Sequence, residues 1–484
     1  LIESLRTGLY VDGTWRDSSS GETFEVEDPA TGQVLTTVAN ATPEDGMAAL
    51  AAATEAQRSW GSTPPRERAE ILRRAFEAVT ARADEFALLM TLEMGKPLAE
   101  ARGEVTYGAE FLRWFSEEAA RISGRYAIAP DGKARLMVHK RPVGPSLFIT
   151  PWNFPLAMAT RKIAPAIAAG CTMVVKPATL TPLTTLLFAS VLEEVGLPAG
   201  VLNVIPTSNA GAVTGPIIKD PRLRKLSFTG STEVGRVLLR QAADNILRTS
   251  MELGGNAALI VCADADLDVA LDGAMVAKMR NVGESCIAAN RIYVEEPVRE
   301  EFTARFAERM GALSVGHGLD DGVDVGALID EASVTKIDEL VTDAVDRGAR
   351  VLVGGERPDG PGHFYPPTVL VDVPDDARAI ARDAVAIADR SRDARGAADS
   401  AGALRFQHAG RPRGPRVARR AVPRRGGLHA APRAPARRKP ARSSRDLRCR
   451  IRPRDDPQPH YLTYGPRTRR EFLNLLRWNG GART

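Results

Sequence analysis

Cysteine is scarce: the 484 residues carry four, at positions 171, 262, 286 and 449. That is too few for a disulfide framework at this length, and no Cys-x-x-Cys pair suggests a metal site. Long apolar runs are missing too. No stretch of roughly 18 apolar residues occurs, so no transmembrane helix is expected. The opening LIESLRTGLYVDG has no basic region followed by an apolar run, so no signal peptide is expected, and its leading Leu fits a trimmed start or an alternative start codon. A reducing, cytoplasmic compartment fits these absences. There a lone cysteine is either a small buried apolar group or a nucleophile.

Charge of one sign is also short in each part of the chain. The totals, 65 basic against 60 acidic residues, suggest balance. From residue 391 onward, however, 25 Lys and Arg face 6 acids, leaving a net of −14 for everything before. The body is an acidic protein of ordinary apolar content, long enough for two or three domains. The basic pI belongs to the tail.

Residues 8–40 read as short strands and turns (LYVDGTW, FEVEDPATG, VLTTVAN). Across 43–123 apolar residues recur at three- and four-residue spacing, which predicts amphipathic helices, and 135–140 reads as a strand. From 143 to 262 short apolar runs (VGPSLFIT, CTMVVKP, GVLNVIP, LRKLSFTG, AALIVC) alternate with helical segments. That alternation predicts an α/β fold with a doubly wound parallel sheet, whose ligands bind at the carboxyl ends of the strands. A second α/β region follows over 263–373, with helices near 267–281, 298–313 and 332–348 and strands at RIYVEE, ARVLVGG and TVLVDV. After about 380 the periodicity fails and Arg, Pro, Gly and Ala dominate. Such a segment buries too little apolar surface to offset its ordering entropy, and disorder is expected.

Four motifs carry chemistry, three of them at expected strand ends. Glu252-Leu-Gly-Gly precedes Gly283-Glu-Ser-Cys286. A thiol nucleophile needs a proton acceptor, and a carboxylate can take that proton or activate water; the plain alternatives are a buried apolar Cys286 and a surface acid at Glu252. Thr150-Pro151-Trp152-Asn153 ends a strand. The Asn153 amide can donate to a developing oxyanion together with the Cys286 N–H, or it is a turn residue. Phe228-Thr-Gly230-Ser231 is a strand, a turn and a helix start, able to face a pyrophosphate or simply to cap a helix. Lys176-Pro-Ala-Thr179 ends the neighbouring strand, where Lys176 can reach an adenosine ribose or point into solvent.

Taken in order, ITPWNFP, KPATLTP, SFTGSTEVG, MELGGNA and RNVGESCIAANRIYV resemble the aldehyde dehydrogenase superfamily over residues 8 to about 378. The resemblance implies a cofactor-binding domain over 8–255, with an oligomerisation-type excursion near 124–140, and a catalytic domain over 256–380. It also implies a homodimer or homotetramer. It assigns Cys286 as nucleophile, forming a thiohemiacetal and then a thioester, Glu252 as general base, and Asn153 with the Cys286 amide as oxyanion donors. Thr150, Pro151, Trp152, Lys176, Thr179, Phe228, Gly230, Ser231 and Leu253 become cofactor-binding positions for NAD or NADP. MTLEMGKPLAEARGEV and FLRWFSEEAARI are most similar to bacterial succinate-semialdehyde dehydrogenases, in which Arg161 and Arg280 would hold the substrate's second carboxylate. Glutarate semialdehyde is the alternative substrate. NAD-preferring relatives often carry a Glu where Thr179 stands, so a neutral Thr179, able to donate to a 2′-phosphate, leans towards NADP. Ala288 occupies the place of a second, redox-switching cysteine, so no such switch is expected.

The family pattern stops after TVLVDVP. Its Glu-Glu-x-Phe-Gly-Pro segment, its later loops and its final subunit-pairing strand are missing, and Asp383-Ala-Val at most echoes the start. From about 380 the chain reads like a GC-rich gene in a shifted frame. The literal chain is therefore expected to be impaired and prone to aggregate. Two other readings stand beside this: a non-enzymatic remnant, and a basic tail (381–484) that binds nucleic acid.

Overall fold

The strands Ser146–Ile149 and Met173–Lys176 are buried at every position, as strands covered by helices on both faces must be. They lie inside a seven-stranded sheet. From Ser146–Ile149 it grows one way through Met173–Lys176 and Leu202–Val204, and the other way through Lys225–Gly230 and Arg248–Leu253, all parallel. The amino-terminal strands Leu9–Val11 and Thr14–Arg16 complete it antiparallel, with Tyr10 opposite Val204. The sheet order thus reverses between Ser146–Ile149 and Lys225–Gly230, and the crevice outside their carboxyl ends is where such sheets take ligands.

This computed structural model describes residues 2–380 and the backbone of the strand Ala403–His408. All of these fall in one unit, Leu1–Arg413. The expected helices over 43–123 are Pro43–Trp60, Pro65–Ala81, Ala83–Met94 and Leu98–Ala119. The first starts at Thr42 with a reciprocal capping box to Asp45, which satisfies orphan amides at that end. The helices Leu267–Met279, Glu296–Gly311 and Glu331–Asp346 flank a second sheet. Among the described residues no helix is long and apolar enough to cross a membrane.

Three features differ from the reading of the sequence. AALIVC, placed with the first sheet, forms Ala257–Val261 and pairs with Ala289–Val294 in the second; apolar alternation identifies a strand but not its neighbour. Arg248–Leu253 was not anticipated as a strand. It is an edge whose first three positions are exposed, so it carries a polar sequence. The tail reading placed no element after 380, yet Ala403–His408 runs parallel between Ala289–Val294 and Thr368–Val371. The remaining tail, 381–402 and 409–484, lies outside the described residues, and with it Cys449, the Asp383 echo and the question of nucleic-acid binding.

The excursion forms a separate hairpin, Arg125–Ile128 with Arg135–Val138. Its apolar side chains stay in solvent, Tyr126 at 63% and Met137 at 65%.

Candidate active site

Thr150, Pro151, Trp152 and Asn153 leave the strand Ser146–Ile149 at the switch point, and all four are buried. Across the crevice runs Asn281-Val282-Gly283, with φ of 59°, 57° and 80°. Left-handed backbone is costly for a β-branched residue such as Val282 and persists only where the surroundings over-determine it. Here they do. The Asn153 amide Nδ2 donates to Glu284 O at 2.8 Å, and the Asn281 Nδ2 donates to Asn153 O at 2.8 Å. The loop emerging from this turn carries Cys286, half-buried and free.

The thiol has three charged neighbours from three different elements. Burial pushes the Cys286 thiol up from its ordinary value; Arg161 draws it down, Glu252 pushes it up and Arg280 draws it down. Glu252 stands at the carboxyl end of the edge strand and is exposed, so it has both the surface position of the plain reading and a place beside the thiol. The arginines rest on an aromatic platform. Arg161 lies 5.5 Å from the Phe111 ring, and Arg280 lies 5.2 Å from Tyr107 and 5.7 Å from Phe154. Cation–π contacts of this kind hold flexible cations over one spot.

The strand Lys225–Gly230 delivers a second feature to the crevice. Ser231 caps the helix Thr232–Ala243, its Oγ accepting from Val234 N at 3.2 Å. The plain capping reading therefore holds. It does not displace the other, because a helix start at a switch point still offers amides and a positive dipole end to an anion. Gly235, one turn in, packs closely on Leu253: a Cβ there would lie 2.7 Å from Leu253 Cδ2 and would make that side chain shift. Phe228, Gly230, Ser231 and Leu253 thus form one tight cradle, which fits a pyrophosphate held on backbone amides. Lys176 is fully buried, not solvated, and its Nζ donates to Thr179 Oγ1 at 3.3 Å. The Thr179 hydroxyl in turn donates to Thr207 O at 2.9 Å. In this arrangement the Thr179 hydroxyl bridges Lys176 and the Thr207 carbonyl.

Reading the sequence missed five charged or polar groups here. Lys162, next to Arg161, is buried with its Nζ donating to Ser227 Oγ at 2.9 Å; burial pushes it down to about 7, and Glu252 raises it again. Lys96, Glu104 and Asn281 form a buried network with the Asn153 carbonyl. Glu284 is buried beside it, and burial holds its carboxyl well above the usual range. Nothing in spacing flags these residues; Lys96 sits between a Gly and a Pro after a helix, where a solvated turn charge is the ordinary assignment.

A thiol set between cations and a carboxylate, next to an amide donor and an anion cradle, has the parts for oxidising a carbonyl compound on a cysteine. The comparisons agree. The chain belongs to the aldehyde dehydrogenase family, whose model matches residues 15–385. A succinate-semialdehyde dehydrogenase of Paenarthrobacter nicotinovorans is 63% identical over 350 residues, 72% of this chain and 78% of that protein. A glutarate-semialdehyde dehydrogenase of Pseudomonas aeruginosa is 46% identical over 373 residues, 77% of each chain. Among solved structures, an E. coli NADP-dependent enzyme superposes with a TM-score of 0.78 at 44% identity, covering 84% of this chain and 81% of that one.

Proposed function

We propose that the sequence encodes oxidation of succinate semialdehyde to succinate, with Cys286 as nucleophile. The observation that carries this is that Arg161 and Arg280, held over the Phe111, Tyr107 and Phe154 rings, both act electrostatically on the Cys286 thiol. A semialdehyde presents its carbonyl to Cys286 while its carboxylate pairs with the guanidinium groups, which suit bidentate binding. The Cys286 thiolate attacks, and the Asn153 amide and the Cys286 N–H take the charge on the carbonyl oxygen of the thiohemiacetal. Glu252 accepts the thiol proton and later activates water to release the acyl group from the thioester. The cradle of Phe228, Gly230, Ser231 and Leu253, with Trp152 and Lys176, would hold NAD(P), which when bound accepts the hydride lost by the substrate. NADP is favoured, on the neutral Thr179 and the cation of Lys176.

The comparison of kcat/KM for succinate semialdehyde, glutarate semialdehyde and butanal tests the substrate. Succinate semialdehyde should lead and butanal trail, with Arg161→Ala and Arg280→Ala erasing the difference; an equal preference for butanal would sink it. Activity of the chain as written is proposed to be low, because the family pattern breaks after 380. Sequencing the coding DNA across codons 370 to 400 decides this. A single-base correction restoring Glu-Glu-x-Phe-Gly-Pro makes the tail an artefact, whereas a confirmed frame makes the gene a broken dehydrogenase. The exposed apolar hairpin of Tyr126 and Met137 fits an oligomer contact as in the family.

A further inference from the structure

Lys96 touches both sides of the crevice at once. It follows the left-handed Gly95 at the end of the helix Ala83–Met94 and is fully buried. Its Nζ donates to Glu104 Oε2 at 2.5 Å, to Asn153 O at 3.0 Å and to the Asn281 Oδ1, and it lies 4.7 Å from the Phe154 ring. Glu104 uses its other oxygen to accept from Leu156 N at 2.9 Å and Ala157 N at 3.0 Å. Those are orphan amides at the start of the helix Pro155–Ala169, which has no side-chain cap of its own. Asn281 closes the ring by donating to Asn153 O at 2.8 Å, and Glu284, three residues further on, accepts from the Asn153 side chain at 2.8 Å.

Lys96, Asn281 and the Asn153 amide tie the Asn153 segment to the Cys286 loop, and Glu104 anchors Lys96 to the helix start beside Asn153. Two oxyanion donors on separate elements act together only if their spacing is held, since a donor misplaced by a fraction of an ångström loses most of its effect on a forming charge. The left-handed Asn281 and Val282 would otherwise relax and carry the Cys286 amide with them.

We propose that Lys96, through Asn281, is a positioning residue for oxyanion stabilisation: it sets the distance between the Asn153 amide and the Cys286 N–H. This rests on the reading of Cys286 and Asn153 given above.

Two reactions of the same thiol separate the idea from a general structural role. In acylation by p-nitrophenyl acetate, Cys286 Sγ adds to the ester carbonyl, the oxygen becomes an oxyanion, and the C–O bond breaks to release p-nitrophenolate and leave acetyl-Cys286. In alkylation by iodoacetamide, Sγ displaces iodide and no oxyanion forms. Asn281→Gly keeps the left-handed turn without strain and removes the clamp; Lys96→Met removes it from the other side. Asn281→Gly should slow the acylation burst about ten-fold or more while alkylation stays within about two-fold, because only one of the two transition states needs the paired donors. If Lys96→Met folds, the double variant should be no slower than the worse single one, as expected for one shared device. Equal losses in both reactions, or an unchanged burst in Asn281→Gly, would overturn the proposal. Cys286→Ser and Asn153→Ala are run alongside: acylation that survives Cys286→Ser, or is unaffected by Asn153→Ala, counts against the underlying reading instead.

Discussion

Lys162 Nζ donates to Ser227 Oγ at 2.9 Å, 65 positions away, linking the helix that carries Arg161 to the strand that leads to the anion cradle. The contact places an ammonium group almost wholly out of water, and burial pushes it down from 10.5 to about 7. Between those limits the unfolded chain holds a proton that the folded chain does not, so this group makes stability rise with pH across that window. Replacing it by Met should remove that rise. Urea midpoints of both proteins at either end of the window check this, and a parallel pH dependence would contradict it.

The Cys286 thiol should alkylate slowly at neutral pH and speed up only above its ordinary range, because burial raises it. Arg161→Ala should move the midpoint further up and Glu252→Gln should move it down, each by removing a charge that acts on the thiolate. Peptide mapping distinguishes the label from that on exposed Cys262. Shifts of the opposite sign would mean that the three groups do not share a site.

Gly326 packs its backbone against the turn that precedes Lys96. A Cβ there would meet Gly95 O at 1.9 Å, a backbone atom that cannot swing aside. Gly326→Ala should therefore cost about 1–3 kcal/mol, the usual range for overpacking, and lower the Tm accordingly. An unchanged Tm would mean that the loop shifts freely.

Cofactor preference can be read without turnover. Thr179→Glu would set a carboxylate against Lys176, and in the cofactor site proposed above it would oppose a 2′-phosphate. The prediction is a selective loss of NADP binding by calorimetry, with NAD binding retained or improved. Equal loss of both would place Thr179 outside the adenosine end of the site.

Some of this molecule is written locally. The runs SLFI and MVVK are apolar at nearly every position, and only burial on both faces of a sheet explains that. Thr42 with Asp45, and Ser231 before Thr232, are caps legible in the text because the interaction spans three residues. The five ordered motifs marked the family, and with it the positions proposed as nucleophile, amide donor and cofactor cradle. Other parts depend on distant partners. Arg248–Leu253 is polar because it is an edge, and AALIVC joins the second sheet because of where Ala289–Val294 lies. Lys96 and Asn281 stand 185 positions apart, and a buried cation looks like any other lysine until the fold supplies Glu104, Asn281 and the Asn153 carbonyl around it. By itself the sequence determined which groups are available for chemistry and which segments bury themselves. Only the tertiary structure decided which charges share a low-dielectric crevice, because that requires chain segments to meet that no periodicity links.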